Sequence, residues 1–128
     1  MKNTKRVWYP TINEVIKINK LMVDKFRATK AEKHEVLSRQ QIVNSIKQTK
    51  EFPGSIEDKA SILVRTMSYH PFGSANRRTA YYLMNKFLWK NKNYGILKKK
   101  KKGKEFMKKI RRGEYSHHDV VNEIKYKK

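Results

Sequence analysis

Within ten residues, the stretch His70-Pro71-Phe72-Gly73-Ser74-Ala75-Asn76-Arg77-Arg78-Thr79 brings together a proton acceptor, small loop-forming residues and two guanidinium groups. Histidine changes charge near neutral pH and can take a proton from a reacting group. Paired arginines offer forked donors that match phosphate oxygens. An Asn-Arg-Arg cluster opening a helix sets those arginines where uncapped backbone N–H groups and the positive end of the helix dipole converge. Together these residues suit phosphate binding beside a base. A lone histidine at a helix end is more often structural, so the weight lies in the grouping, which one tight loop enforces.

His70, Pro71, Phe72, Asn76, Arg78 and Thr79 match the H-P-F-x-x-G-N-x-R-T signature of the Fic/Doc (Fido) family, which this sequence resembles. Tyr9-Pro10-Thr11-Ile12-Asn13-Glu14-Val15-Ile16 resembles the opening helix of the Doc (death-on-curing) branch, as do Phe87-Leu88 and the turn Asn93-Tyr94-Gly95. The resemblance spans about residues 8–126 and is poorest over 27–55. Two positions depart from the signature: Ser74 stands for an acidic residue and Ala75 for glycine.

The resemblance implies an all-α fold, a compact single-domain bundle of about six helices. It also implies a transferase that moves a nucleoside monophosphate (AMPylation, where ATP is the donor) or a phosphoryl group from ATP or another nucleoside triphosphate to a protein hydroxyl. His70 would then be the general base and Arg78 the stabiliser of charge on the transferring group. Ser74, Ala75, Asn76, Arg77 and Arg78 would bind the phosphates, with Asn76 using its amide or its backbone. Phe72 is expected to pack under the loop and Thr79 to support it. Where relatives hold Mg2+ with a carboxylate, this chain offers the hydroxyl of Ser74, a weak ligand for a hard cation. Alanine at position 75 costs on the order of 1 kcal/mol if the loop needs a positive φ there. A short chain with a basic residue at position 77 fits the Doc branch, whose members are toxins held by an antitoxin. The family's inhibitory motif S/T-x-x-x-E-G/N is absent from the sequence, so inhibition is expected from a separate partner. The alternative reading is a catalytically degenerate Fido fold, a basic protein that keeps the anion site for binding only, nucleic acid included.

A chain of 128 residues with 38% hydrophobic content is of single-domain size and can fill a core, with a basic tail expected at 1–7 and the core over 8–126. It has no cysteine, which excludes disulfides and thiolate metal sites. No apolar run approaches the ~20 residues that span a bilayer, and the Lys-rich start lacks the apolar core of a signal peptide. A soluble, cytoplasmic protein without a membrane partner is expected. Lys and Arg number 32 against 11 Asp and Glu, a formal net charge of +21. Such a charge repels itself and favours polyanionic partners, unless the lysines are simply solvated faces.

The elements that must position the loop follow from spacing and caps. Thr11 with Glu14 is a capping box, and Ile12, Val15, Ile16, Met22, Val23 and Phe26 recur at helical spacing, with Asn19 interrupting the stripe. Arg27 to Val36 reads as loop. Ser38 with Gln41 is a second capping candidate. Glu51-Phe52-Pro53-Gly54 is a turn signal, read as a tight turn rather than a strand-forming flap. Ser55 caps a central helix carrying Ile56, Ala60, Leu63, Val64 and Met67, which Pro71 stops. A helix from Asn76 to about Asn91 follows, then a lysine-rich loop at 98–104, a short helix after Gly103 closed by Gly113, and a last helix capped by Ser116.

Overall fold

The computed structural model describes residues 6–25, 33–96 and 100–126. Six helices follow in chain order: α1 (Ile12–Lys25), α2 (Arg39–Glu51), α3 (Ile56–Met67), α4 (Asn76–Lys92), α5 (Lys100–Arg111) and α6 (His117–Tyr126). The β pairing among the described residues is one isolated antiparallel bridge, Val36 to Phe72. The all-α expectation holds. Phe26, the basic tail at 1–5 and part of the 27–36 loop lie outside the described residues.

Three helices begin at capping boxes that close locally. Thr11 and Glu14 bond reciprocally at α1, Ser55 and Asp58 at α3, and Ser116 and Asp119 at α6. Each supplies partners for N–H groups that the helix leaves open, worth roughly 1 kcal/mol. Ser38 caps α2 through its hydroxyl, while its backbone N–H goes to Pro71 O instead of to Gln41. Half of that expected box is therefore diverted to hold the His70 loop.

The helix α3 is central, packed against α2, α4 and α6. Ala60, Leu63 and Val64 are fully buried and Met67 nearly so, as the apolar spacing predicts. Burial of such aliphatic side chains contributes on the order of 2 kcal/mol each. One core draws residues from every helix, with Val15, Ile18 and Met22 entering from α1 and Leu83, Met84, Phe87 and Leu88 from α4. The turn at 52–54 joins α2 to α3 directly. There the ammonium of Lys59 donates to the carbonyls of Thr49, Lys50 and Phe52 at 3.1, 3.0 and 2.9 Å, closing the end of α2.

The lysine-rich stretch departs from its expected loop. The helix α5 starts at Lys100, inside that stretch, and carries Gly103 buried within it; residues 97–99 lie outside the description. Lysine is a good helix former, and the buried face of Phe106, Met107 and Ile110 gives this segment a surface to dock. Mutual repulsion is reduced because Lys101, Lys102, Lys104 and Lys108 all face solvent.

Candidate active site

The segment from His70 to Ala75 connects α3 to α4, and each residue from Pro71 to Ser74 has at least one backbone polar group bonded to a partner outside it. Pro71 O accepts from Leu37 N and Ser38 N at 2.8 and 3.0 Å, and Gly73 N donates to Glu35 O at 2.8 Å. Phe72 N donates to Asn76 Oδ1 at 3.0 Å, and Phe72 O accepts from Asn76 Nδ2 at 2.9 Å. Ser74 O accepts from the Asn19 amide at 2.9 Å. The loop is thus clamped from three sides: the 35–38 segment, the first residue of α4, and the middle of α1.

Two residues of the loop sit in the left-handed region that glycine tolerates best, His70 at φ 56° and Ala75 at φ 62°. Each costs on the order of 1 kcal/mol for a residue with a Cβ. Ala75 is the N-cap of α4 and has no side-chain hydrogen bond to offer. The first turn of α4 contains no acidic residue and holds Arg77 and Arg78 instead. Cations at a helix N-terminus oppose the macrodipole. The loop therefore concentrates backbone strain, an uncapped helix end and unfavourable charge, a combination that a bound anion would relieve.

His70 is exposed at the rim, and its Nδ1 lies 3.3 Å from Asn76 Nδ2. Because Asn76 Oδ1 already accepts from Phe72, the amide nitrogen is the donor and His70 Nδ1 the acceptor. In that arrangement Nε2 is the nitrogen that carries the ring N–H. Asn76, 7% exposed, spends its side-chain amide on Phe72 and His70. Of the two phosphate contacts expected of Asn76, the backbone N–H is the one this geometry leaves available.

The remaining expected residues fall as follows. Phe72 is buried beneath the loop, its ring 6.4 Å from that of His34. Thr79 is fully buried and accepts from Asn19 at 3.1 Å. Arg77 is exposed. Arg78 is half-buried, one guanidinium nitrogen 3.4 Å from Met22 O in the last turn of α1. Ser74 and Ala75 are half-buried at the mouth.

Sequence reasoning did not find three residues that the fold brings here. Asn19, fully buried, bonds Ser74 O, Thr79 Oγ1 and, through Oδ1 at 2.8 Å, His34 Nδ1. Its interruption of an apolar stripe was the one available signal. Glu35 places its carboxylate against the loop: a Cβ at Gly73 would meet Glu35 Oε1 at 2.8 Å. Neither His34 nor Glu35 carries any sequence mark of that position.

Among the described residues no group of three or more His, Asp or Glu side chains is arranged to hold a metal. Ser74 brings a neutral hydroxyl and Glu35 a single carboxylate on the Gly73 side. A resident Mg2+ does not fit this donor set.

A sequence model of the Fic/DOC family matches residues 9–88, which run from the lead-in to α1 through most of α4 and include the entire clamped loop. The chain belongs to the Fic/DOC family. No curated protein and no solved structure matches it. The Fic/DOC match ends within α4, so α5, α6 and the basic face of α5 lie outside it. Among the described residues no helix is long and apolar enough to cross a membrane.

Proposed function

We propose that this Fic/DOC protein transfers a nucleotidyl or phosphoryl group from a nucleoside triphosphate, ATP being the first candidate, to a hydroxyl of a protein target. The observation that carries this reading is the uncapped N-terminus of α4, with Arg77 and Arg78 in its first turn, beside His70 held by Asn76. Phosphate oxygens bind at the open N–H groups, and an arginine stabilises the charge that grows as the bridging P–O bond breaks. The target hydroxyl attacks phosphorus and gives its proton to His70. The ring lone pair that receives it is on Nδ1, where the 3.3 Å contact from Asn76 gives way to the shorter bond of a substrate hydroxyl. Attack at the α phosphorus releases pyrophosphate, and attack at the γ phosphorus releases the nucleoside diphosphate.

The same reading extends to the branch of the family. A basic residue at position 77 favours the Doc-like reading, a toxin held by a separate antitoxin. Val36, paired with Phe72 beside the loop, and the exposed Leu37 form the edge against which a target segment would lie. Cytoplasmic action accords with the absence of cysteine.

A second reading, anion binding without transfer, is favoured by Ser74 and by the exposed cations Lys101, Lys104, Lys108 and Arg111, which recur at three-four spacing along α5. That stripe suits the phosphates of nucleic acid.

One experiment separates the two. Purified protein is incubated with ATP labelled at the α or γ position, Mg2+ and a lysate of the source cell, with His70→Ala alongside. Label from the α phosphate on a protein means nucleotidyl transfer, and label from the γ phosphate means phosphoryl transfer. Either is expected to vanish in His70→Ala. No label from either position overturns the transferase reading in favour of binding alone.

A further inference from the structure

Asn19 is the one polar residue on the buried face of α1 whose side chain reaches the His70 loop, and its contacts leave no freedom in how the amide is turned. Nδ2 donates to Ser74 O at 2.9 Å and to Thr79 Oγ1 at 3.1 Å. Oδ1 therefore faces His34 Nδ1 at 2.8 Å and accepts from it, which fixes the His34 proton on Nδ1. The amide thus joins the segment before α2, the loop and the first turn of α4 at a fully buried point.

The bond to Ser74 O has a stereochemical consequence. In a trans peptide the carbonyl and the following N–H point in opposite directions. Among the described residues no peptide bond is cis. With Ser74 O drawn inward to α1, the N–H of Ala75 is turned outward, to the same side as the open N–H groups of α4. No acceptor for the Ala75 or Asn76 N–H exists among the described residues. The left-handed backbone of Ala75 bends the chain so that consecutive N–H groups converge, the geometry of an anion-binding nest.

From this we infer that Asn19 is a positioning residue: by holding the carbonyl of Ser74 it aims the Ala75 N–H at the bound phosphate. The inference rests on the anion-site reading above and adds to it a residue 55 positions away in the chain. If the Ser74 peptide were free to rotate, its carbonyl would face the phosphate oxygens and repel them. Asn19 thus favours the anion both by supplying a donor and by withdrawing an acceptor.

The test uses the whole chain and ATP as probe, with affinity from calorimetry and amide shifts from 15N–1H spectra. Asn19→Asp keeps the shape but replaces the donor by an oxygen. Asn19→Leu keeps the volume without a buried charge, in case the first variant does not fold. Thr49→Val serves as a control of similar cost to stability, because it removes a buried hydroxyl that bonds Ser45 O within α2 and leaves the Asn19 contacts whole. Loss of Asn19 is expected to weaken ATP about tenfold or more, the effect of one charge-assisted hydrogen bond, and to abolish the ATP-dependent shift of the Ala75 amide. Thr49→Val is expected to bind within about twofold of the parent. ATP binding unchanged in folded Asn19 variants, or equally weakened in Thr49→Val, overturns the inference alone. A parent protein with no ATP-dependent shift at residues 75 to 77 overturns the anion-site reading, and the inference with it.

Discussion

Ala75 illustrates how a single residue can hold a loop in a shape that it does not itself prefer. Its φ of 62° is imposed by the bonds at Ser74 O and Thr79 N, and glycine would adopt it without a Cβ clash. Ala75→Gly is expected to stabilise the protein by about 1 kcal/mol, raising Tm by about 4 °C, measurable by thermal or urea unfolding. Destabilisation would mean that the left-handed turn is not maintained in solution. The same loop shows what a sequence conveys at this scale. Grouping His70 with Asn76 and Arg78 was legible because six to eight residues of chain and one proline confine them. The role of the Asn76 side chain was not, because its partner Phe72 is chosen by loop shape. Asn19 and His34 were illegible for another reason: their contacts to the loop cross 55 positions in one case and depend on Asn19 in the other.

Among the elements, helix starts were the most legible, since capping boxes are written in four consecutive residues and need no tertiary information. The helix α5 was least so: a lysine run is solvated loop or solvated helix depending only on whether the next turns find a surface to bury. Asp58 links two elements, bonding Ser55 at the start of α3 and His117 Nε2 at 3.1 Å at the start of α6. The N–H donated by the Ser55 backbone, with smaller help from the Ser55 hydroxyl and His117, holds the Asp58 carboxyl below its ordinary range. Glu14 is held down in the same way by the backbone N–H of Thr11. At Glu57 burial pushes upward, but the Tyr94 hydroxyl, a backbone N–H, Lys92 and Lys125 together bring the carboxyl below its ordinary range. A carboxylate with a depressed folded pKa adds stability at every pH above its unfolded value and loses it as pH falls through the folded one. Stability is therefore expected to be level near neutrality and to fall with acid below about pH 4.5. Asp58→Asn should lower stability at pH 7 by about 1 kcal/mol and make the acid fall shallower, as read from urea midpoints across pH. An unchanged acid slope would remove Asp58 from that account.

For the molecule as a whole, the all-α class was legible from helical periodicity in nearly every segment, and α3 was recognisable as central from its unbroken apolar stripe. The formal net charge of +21 acts at this scale too. Salt between about 0.01 and 0.3 M shortens the reach of the repulsion and is expected to raise Tm progressively. Phosphate should raise it further than chloride at equal ionic strength, because it also occupies the end of α4. Equal effects of the two salts would argue for screening alone. The chemical reactivity of the surface follows a different logic from its charge. Lys59 has its ammonium engaged with three carbonyls at the α2–α3 turn, whereas Lys101, Lys102, Lys104 and Lys108 of α5 project into water. Under limiting acetylation the exposed lysines should react first, and Lys59 only when that turn opens. Mass spectrometry of a single side chain would then time the parting of α2 from the central helix.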